Sequence, residues 1–326
     1  MVARLTLVAT FALGVLVWPL AAEAQQAQRI YRIGLLGVAS PSGYAPQVEA
    51  FRGGLRDLGY VEGKSVVIEF RWAEGNSARL PELAAELVRL KPDVVVTSGP
   101  GITVAKRATG TIPIVMAAAG DAERSGLVES LARPGGNVTG SSFFFRELNA
   151  KRLEVLKEAL PRLRRVGVLL HAESPTNTAV IRDMEDTARS IKVQLQVIAV
   201  RSAADFEDAF ATIVKGRAGG LVVADHTMLV NEVARITDVA RKNRLPTIGF
   251  VEVAKTGGLL AYGVNFPALW RRAAYFVDKI LKGAKPADLP VEQPMRFEVV
   301  VNLKTAKVLG VTIPPAVLLR ADHVIE

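Results

Sequence analysis

The sequence predicts an α/β protein of two lobes, each a mainly parallel sheet covered by helices. Three observations carry this. Short, continuous apolar runs alternate many times with amphipathic segments of helical spacing, the pattern of parallel strands buried on both faces. The alternation restarts after a Lys/Glu-rich helix at residues 148–160. The strands also run, at their C-terminal ends, into small or polar residues, where open α/β sheets take their ligands.

The elements follow in order. Tyr31 to Leu36 reads as a buried strand, Val48 to Leu58 as a helix ended by Gly59, and Val66 to Phe70 as a second strand. Leu80, Leu83, Ala84, Leu87 and Val88 share one helical face, and Pro92 precedes a third strand opening at Asp93-Val94-Val95-Val96. Ile112 to Met116 and Asn137 to Ser141 give two more. In the second half, strands at Arg165 to Leu170, Val193 to Val200 and Leu221 to Val223 alternate with helices at Thr178 to Ile191, Phe206 to Val214 and Val230 to Lys242.

The N-terminus has a different character. Arg4, the apolar run Leu5 to Leu20, and Ala22-Glu23-Ala24 form a cleavable export signal, with Gln25 as the expected new N-terminus. The apolar run is shorter than the roughly 20 residues of a spanning helix. The expectation is therefore a signal peptide over residues 1–24 and a periplasmic protein. The chain lacks Cys, which excludes disulfides, Cys-based zinc sites and thiol catalysis. Net charge is +9, but basic residues are interspersed with acids, as in Lys151, Arg152, Glu154. This reads as a solvated surface and not as a nucleic-acid or membrane face.

Candidate site residues lie at the strand ends. Thr97-Ser98-Gly99-Pro100-Gly101 is the strongest local signal: glycine allows close approach, and free N–H groups at a helix start favour a carboxylate. An ordinary tight turn fits that segment equally well. Ser40 and Ser42 fit either ligand contact or helix capping. Gly120-Asp121 offers an acid for a ligand ammonium, or a plain N-cap; Asp225 is a second acid in the other half. His171 and His226 follow strands beside Glu173 and Asp225, but their spacing matches no metal-ligand motif, so polar cleft lining or surface is the reading adopted. Tyr44, Phe250, Tyr262 and the run Phe143-Phe144-Phe145 are candidate aromatic walls, with core packing the alternative for each Phe. The three successive Phe cannot all face inward from one strand. Trp72 and Trp270 read as structural and away from strand C-terminal ends, which disfavours sugar stacking.

Other chemistry lacks support. Gly59-Tyr60-Val61-Glu62-Gly63-Lys64-Ser65 has one residue too few between its glycines for a phosphate loop and precedes a strand. Gly-x-Ser-x-Gly is absent.

Several segments together resemble the exported solute-binding proteins of ABC importers, in the branch whose better-known members bind aromatic amino acids. They are Phe51-Arg52-Gly53-Gly54-Leu55-Arg56-Asp57-Leu58-Gly59-Tyr60-Val61-Glu62-Gly63, Arg71-Trp72-Ala73-Glu74-Gly75, Leu80-Pro81-Glu82-Leu83-Ala84, Arg133-Pro134-Gly135-Gly136-Asn137-Val138-Thr139-Gly140, Lys151-Arg152-Leu153-Glu154 and Gly257-Gly258-Leu259-Leu260-Ala261-Tyr262-Gly263. The resemblance implies a periplasmic-binding-protein type I fold, two Rossmann-like lobes joined by three crossings near Thr139–Ser141, Ala261–Gly263 and Pro294–Phe297. One lobe would hold residues 29–140 plus 265–293, the other 141–264 plus 294–326. Two positions depart from the family's habit: Asp121-Ala122 stands for Asp-Pro, and His171 for Asn. The ligand is therefore read only as a small polar solute, an amino acid or carboxylate.

The expected function is non-enzymatic capture by hinge closure, without cofactor or metal, by a monomer serving a membrane permease. Thr97 and Ser98 hydroxyls would hold the anion, Asp121 or Asp225 a donor, and Tyr44 or Tyr262 the apolar part, with Ser40, Ser42, Gly99, Gly120 and His171 completing the lining. The alternatives are an exported sensor subunit for a membrane receptor and, more remotely, an exported hydrolase.

Overall fold

The structure is a computed structural model describing residues 29–174, 176–293 and 297–326, with no side-chain description at Phe145 and Arg146. The expected signal at residues 1–24 lies outside the described residues, as does most of the third expected crossing.

The first sheet has the order β2-β1-β3-β4-β5 and is parallel throughout. Its strands are β1 (Tyr31–Gly37), β2 (Val66–Trp72), β3 (Val94–Ser98), β4 (Ile114–Gly120) and β5 (Val138–Phe143). Four helices cover it: α1 (Ala45–Asp57), α2 (Leu80–Arg89) and α3 (Pro100–Ala108), and, from far along the chain, α10 (Phe266–Leu281). Ile33, Leu35, Val94, Val96 and Val115 face α1 and α10, where Phe51, Trp270, Phe276 and Val277 are fully buried. The opposite side chains, Leu36, Val95, Ile114 and Met116, face α2 and α3. This two-sided burial explains why these strands read as unbroken apolar runs.

The Gly53-Gly54 pair lets α1 and α10 approach. A Cβ on Gly54 would lie 2.5 Å from the Arg271 carbonyl oxygen. That part of the family-like segment is thus a helix contact.

The second sheet has the order β12-β11-β10-β9-β8-β6-β7. Its strands are β6 (Arg165–His171), β7 (Gln194–Val200), β8 (Leu221–Val223), β9 (Thr247–Gly249), β10 (Leu260–Gly263), β11 (Glu298–Asn302) and β12 (His323–Ile325). All pairs are parallel except β10 with β11. One face packs against α4 (Phe145–Ala159) and α5 (Asn177–Ser190), together with α11 (Leu303–Leu309) and α12 (Pro315–Leu318). The other packs against α6 (Phe206–Lys215) and α8 (Val233–Lys242). Between β8 and α8 stands the short α7 (Thr227–Asn231), and after β9 the short α9 (Val251–Lys255).

Three sequence expectations are corrected here. β2 does not stop at Phe70 but runs to Trp72, so this Trp does sit at a strand's C-terminal end. β5 continues in the first sheet to Phe143, so the expected lobe boundary at 140/141 falls inside a strand. Arg152 is not solvated surface: it is 0% exposed.

Candidate functional site

The carboxyl ends of the two sheets bring their loops against each other through α7. An added Cβ on Gly99 would lie 3.2 Å from Thr227 Oγ1, and one on Gly43 3.2 Å from Asn231 Oδ1. Gly99 has φ +54° and precedes α3, a left-handed conformation that a side chain disfavours. The loops that begin at Ser40 and Thr97 therefore meet one helix of the other sheet.

On the first-sheet side, the candidate hydroxyls are largely engaged. Thr97 is fully buried and its Oγ1 donates to the Leu36 carbonyl at 2.8 Å. Its hydroxyl braces β3 against β1. Ser98 Oγ lies 3.0 Å from the Tyr44 hydroxyl. Tyr44 is itself core, with its ring 5.6 Å from that of Trp72 and 5.4 Å from that of Trp270. Burial pushes the Tyr44 pKa up, against the lowering contacts with Ser98 and the Val38 backbone. Ser40 Oγ lies 3.0 Å from Ser42 Oγ and accepts the Gly43 N–H; both serines brace the loop, and the Tyr44 N-cap of α1 has no side-chain cap. Gly120 ends β4. Asp121 has φ +47°, its N–H donates to the Phe143 carbonyl, and turns rather than a helix follow it, so it is not a helix N-cap.

On the second-sheet side, charged and ionisable groups are buried. The Arg152 Nη1 and Nη2 atoms donate to Asp225 Oδ2 and Oδ1 at 2.5 and 3.0 Å. Arg152 Nε donates to the Tyr262 carbonyl at 2.7 Å, and Nη1 also reaches Asn149 Oδ1 and the Val223 carbonyl. Asp225 is thus the anchor of a structural ion pair joining α4 to the ends of β8 and β10. Each of its oxygens thus already accepts from Arg152 before any ligand is considered.

His171 and His226 stack with ring centroids 3.8 Å apart and planes 5° from parallel. Each Nδ1 accepts a backbone N–H two residues on, from Glu173 and Met228; that geometry leaves the ring proton on Nε2. Burial, with His171 adding to it, pushes the His226 pKa down to about 4. Among the described residues no group of three or more His, Asp or Glu side chains is arranged to hold a metal ion.

Tyr262 faces elsewhere. Its ring packs on Phe297 at 5.7 Å and lines an open groove of about 620 Å³ with Phe144, Leu148 and Lys151. Phe143 and Phe250 are core, while Phe144 is 41% exposed. Trp72 lines a separate groove of about 400 Å³ with Pro41, Arg52 and Phe70, its ring stacked on Phe70 at 5.6 Å.

Sequence reasoning missed two residues here. Arg152 carried no local signal, because its partner is distant in sequence. Glu252 lies in α9, immediately beyond β9, and its Oε2 is buried with no hydrogen-bond partner among the described residues. A strand of three residues gave nothing to mark the position.

Known proteins supply the context. The sequence profile of a family described as ABC transporter substrate binding protein matches residues 33–325. A tyrosine-binding protein of Clostridioides difficile (strain R20291) is 28% identical over 257 residues, 78% of this chain and 74% of that protein. A domain from Streptococcus pneumonia solved in complex with L-Trp superposes with a TM-score of 0.83 at 26% identity, covering 90% of this chain and 99% of the other. A conserved domain protein of Vibrio cholerae gives 0.84 at 26% identity with the same coverage.

Proposed function

The chain belongs to the ABC transporter substrate binding protein family and has its type I periplasmic binding fold, and from that premise we propose that it is an exported, non-enzymatic protein that captures an amino acid between its lobes and delivers it to an importer's permease. In this reading one lobe comprises residues 29–143 with 265–293, and the other 144–264 with the C-terminal strands. Cleavage after Ala24 would release the protein to the periplasm. The observation that carries the reading is the opposition of α7 to the Gly43 and Gly99 loops. In that arrangement the loops beyond the strand ends of both sheets face one another, which supports a ligand site between them.

Capture then follows from differential affinity. A solute touching both lobes stabilises the closed form over the open one, and the hinge equilibrium shifts by that difference. The hydrophobic hinge cluster of Ala118, Phe143, Leu148, Val264 and Leu269 gives the lobes a packed pivot. Tyr262, Phe266 and Phe297 border it. The amino-acid class is supported by the C. difficile relative and the L-Trp complex. Calorimetry of the protein, stripped of bound solute by unfolding and refolding, tests the reading directly. Saturable binding of one or more L-amino acids with an unchanged solute recovered afterwards is expected; turnover of the solute, or no binding by any of them, would contradict it.

A further inference from the structure

Among the described residues of the second lobe, Glu252 carries a buried carboxylate oxygen without a hydrogen-bond partner. Glu252 occupies the first turn of α9, at the carboxyl end of β9. His171 ends β6, and Asp225 lies two residues beyond β8, so all three stand near the carboxyl ends of strands of one sheet. The residue keeps a small exposed edge, yet its Oε2 is sealed from solvent without a hydrogen-bond partner among the described residues. A buried carboxylate oxygen left so is costly, by more than an ordinary hydrogen bond contributes. Neither obvious cation satisfies it. Arg152 gives both terminal nitrogens to Asp225, and Lys255 acts on Glu252 through space without a hydrogen bond.

The charge balance of the floor points the same way. Arg152 and Asp225 cancel. Both imidazoles accept a backbone N–H at Nδ1. Glu252 Oε2 is free to accept from a cation.

We propose that Glu252 receives the ammonium group of the bound amino acid, its orphaned Oε2 taking the N–H donor that the protein does not supply. The assignment rests on the amino-acid reading above and deepens it: the second lobe selects for a protonated amine.

A proton linkage follows. In the free protein, burial pushes the Glu252 pKa up; its own backbone N–H, Lys255 and Arg152 lower it, while Asp225 raises it. An arriving ammonium favours the ionised form. Binding therefore releases a proton at pH values where free Glu252 is protonated, and affinity rises with pH until it is ionised in the free protein.

The experiment is titration calorimetry with L-tyrosine and with 3-(4-hydroxyphenyl)propanoate, the same molecule without its amine, in two buffers of different ionisation enthalpy between pH 5 and pH 8. L-Tyrosine should bind at least about tenfold tighter than the amine-free acid, the usual scale of a hydrogen bond to a charged group, with protons released at the low end of the range. Glu252→Gln should remove that preference and the proton release, leaving the amine-free acid's affinity within about twofold. Glu252→Asp, which retains the charge, should keep part of both. Unchanged L-tyrosine affinity and proton release in Glu252→Gln overturn the assignment alone. If the unaltered protein binds neither compound, the same pair of titrations is run with the L-amino acid it does bind and that amino acid's deaminated acid; binding of no L-amino acid overturns the amino-acid reading and the assignment with it.

Discussion

The two edges that meet across the cleft differ in what they bury. The first lobe presents Ser40 and Ser42, which pair within their loop, Thr97 and Ser98, whose hydroxyls bind Leu36 and Tyr44, and Gly99, which admits the opposite helix. The second presents a buried ion pair, two stacked imidazoles and an unsatisfied carboxylate oxygen. The difference separates two tasks within one site. On the proposed function, shape and approach would be set on the first edge by the absence of side chains, and charge selection on the second by buried ionisable side chains. Substitutions in the second edge should therefore act on stability and protonation, and those in the first on closure.

The largest expected effect tests the second edge. Arg152→Met leaves Asp225 as a buried charge without its partner and should cost about 3–5 kcal/mol of unfolding free energy, measured by urea denaturation. Pairing it with Asp225→Leu should recover most of the loss, because replacing a whole buried pair by apolar groups is often neutral. If the single variant proves nearly as stable as the parent, the second edge is not organised by this pair.

His226 gives the next effect and sharpens the comparison by pH. Its folded pKa is depressed to about 4, so the unfolded chain takes up the proton first as pH falls. Its contribution to stability is complete above the ordinary histidine value of about 6.5 and is lost progressively down to about pH 4, by roughly 3 kcal/mol. His226→Asn retains an acceptor suited to the start of α7 and should flatten that part of the stability profile. An unaltered slope between pH 6.5 and pH 4 would show that His226 does not supply it.

On the first edge, Gly99→Ala should lower stability by about 1–2 kcal/mol through its left-handed backbone, and it should also weaken ligand affinity by crowding Thr227. Adding Thr227→Ala should restore affinity but not stability, a separation visible by combining calorimetry with thermal unfolding. Ser98→Ala is the mildest. Tyr44 keeps its Val38 backbone partner, so the loss should be about 1 kcal/mol, with affinity little changed.

How much of this the sequence carried differs between fold and site, for physical reasons. Strands buried on both faces announce themselves as apolar runs, as β1, β3 and β6 do. Edge strand β2 alternates instead, with Glu69 and Arg71 partly exposed, and an apolar-run reading ends it two residues early, misplacing Trp72. Strands of three residues such as β9 and β12 are too short for any period. The site's candidate positions at strand ends were legible, because topology puts polar loops there. The roles of Thr97 and Asp225 were not: their partners, Leu36 and Arg152, lie 61 and 73 residues away in sequence, and only folding shows that their donors and acceptors are already used.

The central claim is that two lobes close on an amino acid. Small-angle scattering of the ligand-stripped protein, titrated with each proteinogenic L-amino acid, tests it most directly. The account predicts that one or a few of them shrink the radius of gyration, saturably, toward the value of the closed structure. A radius that stays constant with all of them would contradict it.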